Sequence, residues 1–122
     1  IRNEYDWGIM VVNGKVVSGE KSYPSRGEFR NNTCNGAEEH FVDVESIPEN
    51  IRDIAVHASG LLGLSWSRAD IIIDKLTGLP YLLEVNRYPG ITADSTEVLG
   101  AYTFLASHIT PELSERHILP TL

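Results

Sequence analysis

The stretch SRADIIIDKLTGLPYLLEVNRYPGIT, residues 67–92, decides the fold. Two β-rich runs, Ala69–Asp74 and Pro80–Val85, flank the turn formers Lys75-Leu76-Thr77-Gly78, which is the pattern of an antiparallel hairpin. The segments III and YLLEV are nearly continuous in apolar residues, so the strands are expected to be buried on both faces, with helices covering the sheet. Acids inside such strands are the informative exceptions. Asp70 opens the first run and Glu84 lies near the end of the second, so antiparallel pairing brings Asp70 beside Glu84 and Asn86. Glu84 and Asn86 are two residues apart and therefore share a strand face. Two carboxylates and an amide oxygen at one sheet end form an all-oxygen set that suits a hard cation such as Mg²⁺, especially one that also carries substrate phosphates. From spacing alone, a hairpin whose acids merely face water explains the pattern equally well.

Upstream, Trp7–Val12 and Lys15–Ser18 are joined by Asn13-Gly14, whose residues tolerate positive φ, and read as a second hairpin. From Glu20 to Asn35 the chain turns polar and rich in turn formers, with Arg26 and Arg30 four positions apart, as expected of a long functional loop. Ser46-Ile47-Pro48-Glu49 has capping-box spacing ahead of apolar residues at 51, 54, 55, 58, 61 and 62, which predicts a helix over 48–62 ended by Gly63. Asp94-Ser95 can cap a further helix over 96–107, and the tail from Pro111 is only weakly helical. The order β-β-loop-α-β-β-α predicts an α+β domain, an antiparallel sheet built from two hairpins and covered by helices.

The 122 residues allow one domain, and 42% apolar with 22% charged residues is the composition of a globular chain. Ten basic residues against seventeen acidic ones, a formal charge of −7, exclude a general nucleic-acid surface, so an anionic ligand needs local basic groups. The single cysteine, Cys34, excludes an internal disulfide and fits a reducing, cytoplasmic setting. No apolar run approaches the roughly 18 residues that span a bilayer, so no membrane partner is expected. His57, His108 and His117 have no partner at metal-ligand spacing and read as surface or packing residues, while His40 lies closer to the loop. Trp7 and Trp66 read as packing anchors, and Tyr88 suits either a substrate contact or the edge of the core.

The run from Ser67 to Thr92 resembles the C-terminal metal-binding signature of the ATP-grasp superfamily, in which an Asp opens one strand and Glu-x-Asn closes the next, followed by Pro-Gly. GEFRNNTCNGAEE, residues 27–39, resembles the Phe-Arg-x-Asn loop of RimK-type glutamate ligases, and WGIMVVNGKVVSG is similar to the strand pair preceding that loop. Arg68, two residues before Asp70, together with LLEVN and PGIT, looks more like the D-alanine–D-alanine ligase version. The similarity runs from about residue 5 to 107 in family order. It implies ATP and two Mg²⁺ ions, with Mn²⁺ as a substitute, and Asp70, Glu84 and Asn86 as metal ligands, Glu84 bridging the ions. It also implies Arg30, Asn32 and Lys21 as nucleotide-binding residues, and Arg30 and Arg68 as catalytic groups beside the transferring phosphoryl. The expected function is ATP-dependent joining of a carboxylate to an amine, small molecules or peptides, through an acyl phosphate.

Two departures from the family pattern stand out. Asp6-Trp7-Gly8 occupies a place where many relatives read Asp-x-Arg, and Glu38 and Glu39 follow the loop where glutamate ligases carry a basic, Gly-rich segment, which weighs against a glutamate substrate. The family's nucleotide is gripped between two lobes, so residues 1–122 are expected to form a C-terminal subdomain, a fragment of a longer protein that is inactive alone. The alternative is a non-catalytic module that self-associates or binds a partner through the face a missing lobe would cover; a kinase or carboxylase on the same scaffold would keep the metal residues and change the acceptor.

Overall fold

A computed structural model describes residues 3–23 and 38–108 of the chain. The strands are β1 (Asn3–Val12), β2 (Lys15–Tyr23), β3 (Glu38–Val42), β4 (Trp66–Asp74) and β5 (Pro80–Arg87), and the helices α1 (Glu49–Leu61) and α2 (Thr96–His108). All strands join one antiparallel sheet in the order β3-β2-β1-β4-β5. The two expected hairpins are therefore fused through β1 and β4, whose pairing runs from Asn3↔Asp74 to Val12↔Trp66.

The first hairpin turns at Asn13 and Gly14 with φ of 49° and 78°, a left-handed pair that Asn-Gly adopts at little cost. Both of its strands outrun the expected limits, and β2 continues through Glu20 to Tyr23. β3 lies beyond the expected loop in a stretch with no assigned element, because five residues, EEHFV, carry too little alternation to announce a strand. Arg30, Asn32 and Cys34 of the expected loop lie outside the described residues, as do His117 and the tail.

One face of the sheet carries the core: Trp7, Ile9 and Val11 of β1 and Ala69, Ile71 and Ile73 of β4 pack with Ile47 and with Ile51 and Ala55 of α1. A buried hydroxyl chain ties helix to sheet, Ser67 Oγ donating to Ser59 Oγ at 3.0 Å and Ser59 Oγ to the Leu64 carbonyl at 3.1 Å. The expected capping box does not form. Ser46 ends a short 3₁₀ turn, Ile47 is extended, and Pro48 takes the N-cap position without a side-chain bond, so Ser46 falls too early to reach the first helical N–H groups.

α2 crosses the opposite face. At Gly100 an added Cβ would stand 2.6 Å from Val17 Cγ2 and 2.9 Å from Met10 Sδ, so this glycine lets the helix backbone lie directly on the sheet. Thr96 Oγ1 and Ser18 Oγ share a hydrogen bond of 2.6 Å at the helix start, and Ser95 Oγ accepts from the Glu97 N–H at 3.2 Å, which bears out Ser95 as a cap. Burial on both faces does not extend to β5, where Tyr81, Leu82 and Leu83 are 40%, 43% and 58% exposed. β5 is an edge strand, and the helices cover the middle of the sheet. Among the described residues, no helix is long and apolar enough to cross a membrane.

Candidate functional site

Strand register places the polar residues of the α2 face in rows. Glu20 opposes Gly8, Gly8 opposes Asp70, and Asp70 opposes Glu84, so one row crosses β2, β1, β4 and β5. In the row beside it Ser18 opposes Met10, Met10 opposes Arg68, and Arg68 opposes Asn86. Asp70 thus lies directly across from Glu84, as the hairpin predicts. Immediately beyond this pair the β4–β5 register shifts, a bulge of the kind that re-aims side chains at a sheet end.

The Asn86 amide donates from Nδ2 to Glu84 Oε1 at 2.8 Å, a bond that does not use its Oδ1 oxygen. Asp70 is pushed up to about 6 by its burial and by the Glu84 carboxyl, against the opposing pull of Arg68. Two carboxylates beside an amide form an all-oxygen set, the donor chemistry that suits a hard divalent cation such as Mg²⁺. Among the described residues, no three His, Cys, Asp or Glu side chains form a metal cluster, so the set is limited to two carboxylates and one amide.

Arg68 lies at the centre of the site. Its Nη2 donates to Glu20 Oε2 at 2.8 Å, its Nη1 to Glu97 Oε2 at 3.0 Å, and its Nε lies 3.4 Å from Asp70 Oδ1. The Glu20 and Glu97 side chains are 4% and 1% exposed, against 24% for Arg68. Burial works against the guanidinium charge, but the Glu20, Glu97 and Asp70 carboxylates outweigh it and hold the pKa above its ordinary value. The side chain rests on Gly8, where an added Cβ would collide with Arg68 Nη2.

Glu97 has a second bond, its Oε1 accepting from the Thr92 N–H at 3.0 Å, and Ser95 Oγ donates to the Thr92 carbonyl at 2.7 Å. The segment after Pro89-Gly90 is thereby tied to Arg68. Trp66, two residues before Arg68, packs against Phe104 at 5.1 Å and Tyr88 at 6.0 Å, with Tyr88 held at φ 49° and 56% exposed.

The structure brings together Asp70, Glu84, Asn86 and Arg68. It does not bring Lys21 to them: strand alternation that turns Glu20 to the site turns Lys21 to the opposite face, where its Nζ lies 4.0 Å from the centre of the Tyr5 ring. Arg30 and Asn32 lie outside the described residues. Sequence reasoning missed Glu20, Glu97 and Gly8. Its one available signal was Gly8, since glycine inside a strand marks a close approach by another group.

The RimK-like ATP-grasp domain model matches residues 1–102. The chain is 36% identical over 89 residues to a probable alpha-L-glutamate ligase of Aeromonas salmonicida, covering 73% of the chain and 28% of that protein. It is 39% identical over 105 residues to a D-alanine–D-alanine ligase of Maridesulfovibrio salexigens, covering 75% of the chain and 34% of that protein. In fold it is similar to the D-alanine–D-alanine ligase of Bacillus anthracis complexed with ATP, with a TM-score of 0.60 and 20% identity over 93% of the chain and 39% of that structure. The chain therefore spans about a third of the length of these proteins.

Proposed function

Since the chain belongs to the RimK-like ATP-grasp domain family, we propose that it is the metal-binding and phosphoryl-facing part, a C-terminal subdomain, of a longer ATP-dependent carboxylate–amine ligase. The observation that carries this reading is the convergence of Asp70, Glu84 and Asn86 with the Arg68 guanidinium on one face of the sheet. The ligase names of the matched relatives support it.

In the proposed reaction an oxygen of the substrate carboxylate attacks the γ-phosphorus of ATP, and the bond to the ADP oxygen breaks. The amine nitrogen then attacks the acyl carbon of the resulting acyl phosphate, loses its proton, and phosphate departs. Both steps gather negative charge on phosphoryl oxygens, so the protein acts mainly by orientation and charge neutralisation. Asp70, Glu84 and Asn86 would hold Mg²⁺ through their side-chain oxygens. Bound there, the cation supplies neutralisation of the phosphate oxygens. Arg68 would orient the transferring group from beside the metal residues, and the family resemblance adds Arg30 and Asn32 as phosphate contacts.

The test is ADP formation by the complete polypeptide with ATP, Mg²⁺ and candidate carboxylates and amines such as D-alanine and L-glutamate. Glu84→Ala is expected to lower the rate at least a hundredfold while the Tm of the chain stays within a few degrees; undiminished ADP formation would exclude the assigned role. A second reading, an interaction module, rests on exposed Leu82 and Leu83 of β5 and Leu99, Tyr102 and Leu105 of α2. Sedimentation of the complete polypeptide beside the ADP assay distinguishes the two, since a stable dimer that forms no ADP with any of the candidate substrates favours the module.

A further inference from the structure

Arg68 poses a problem that the ligase reading leaves open. A long side chain on a sheet surface samples many rotamers, whereas a group that steers a transferring phosphoryl has to be held in one geometry. The surroundings of Arg68 supply that restraint. Two carboxylates from elements distant in sequence, Glu20 of β2 and Glu97 of α2, each take one terminal nitrogen of the guanidinium, at 2.8 and 3.0 Å. Both acids are almost wholly enclosed, and burying two carboxylates is unfavourable unless a fixed cation answers them. Gly8 forms the floor, since any larger residue there would occupy the volume of the guanidinium. Each terminal nitrogen carries two N–H groups, so one on each remains without a partner among the described residues, while Nε faces Asp70 at 3.4 Å.

We propose that Glu20 and Glu97 are positioning residues for Arg68, clamping its guanidinium in one plane over Gly8 so that the unused N–H groups are presented beside Asp70 and Glu84. Glu97 has the wider role. Through its other oxygen it holds the Thr92 N–H, so the same side chain sets both Arg68 and the segment that follows the Glu-x-Asn strand. The clamp rests on the ligase reading for its purpose, but its existence as a guanidinium-binding pocket is testable without any turnover.

The first experiment uses the 122-residue chain with Arg68→Ala and guanidinium chloride at low millimolar concentration, with sodium chloride as the matched salt. Guanidinium is expected to raise the Tm of Arg68→Ala by several degrees and that of the unaltered chain not at all. Adding Glu20→Gln or Glu97→Gln to Arg68→Ala should remove most of the gain. In the complete polypeptide, Glu20→Gln and Glu97→Gln should each lower kcat for ADP formation at least tenfold with the KM for MgATP changed less than threefold. Guanidinium should restore part of the activity of Arg68→Ala, and the concentration needed should rise at least tenfold when Glu97→Gln is added. Where Arg68→Ala does not fold, Gly8→Ala takes its place, because it keeps every charged group and displaces only the guanidinium; a tenfold loss of kcat is expected. Full kcat in Gly8→Ala, or in Glu20→Gln and Glu97→Gln together with an inactive Glu84→Ala, overturns the positioning role and leaves the ligase reading standing. Full activity of Glu84→Ala overturns both.

Discussion

The two faces of the sheet share the same strands and differ in almost everything else. On β4, Ala69, Ile71 and Ile73 point to α1 and are 0%, 0% and 6% exposed, while Arg68 and Asp70, between and beside them, point to the α2 face. The α1 face is held by close apolar packing, which is local, redundant and tolerant of isosteric change. The α2 face adds to the packing of Gly100 on Met10 and Val17 a cluster of charged contacts, each with a specific partner. A protein can stabilise a fold through one face and keep the other electrostatically poised because side chains alternate along a strand.

The comparison is broken most severely by removing the cation from the charged face. Arg68→Ala removes the cation shared by the buried Glu20 and Glu97 carboxylates and is expected to cost about 3–5 kcal/mol in chemical denaturation, as losing one member of a buried pair does. If the cost is under about 1 kcal/mol, the two faces do not differ in the way described. On the apolar face, Ile71→Ala should cost about 2–5 kcal/mol by cavity formation, while Mn²⁺ binding, read by electron paramagnetic resonance below the transition, stays unchanged.

Proton–metal competition sharpens the contrast further. Asp70 is raised to about 6 in the folded chain from an ordinary 3.8, so its protonated form favours the native state, and that stabilisation is lost as pH rises from about 4 to 6. A cation at the site must displace the proton below pH 6 and need not do so above it. The rise in Tm caused by Mg²⁺ should therefore be larger at pH 7.5 than at pH 5, and Asp70→Asn should flatten this difference. The smallest effect is expected at the sheet edge, where Leu83→Ser should change stability by less than about 0.5 kcal/mol despite lying in an apolar run that reads as core.

Much of the fold could be read from local pattern. The Asn13-Gly14 turn, the helix after Pro48 and the β4–β5 hairpin each arise from signals within a dozen residues, and so does the Asp70↔Glu84 pairing. What could not be read arises from which strand lies next to which. Glu20 looked like the first residue of a loop, and became a site residue only because β2 runs on to Tyr23 and places it opposite Gly8. Lys21 looked like a phosphate ligand, and the same extension turns it away.

The sequence alone determined that Asp70, Glu84 and Asn86 meet, since they belong to one hairpin and alternation places them together whatever surrounds it. Only the tertiary structure decided how Arg68 is held, because its partners Glu97 and Glu20 lie 29 and 48 residues away. Alternation within a strand is a property of the covalent backbone, whereas the meeting of β2, β4 and α2 over Gly8 depends on the burial of the whole core.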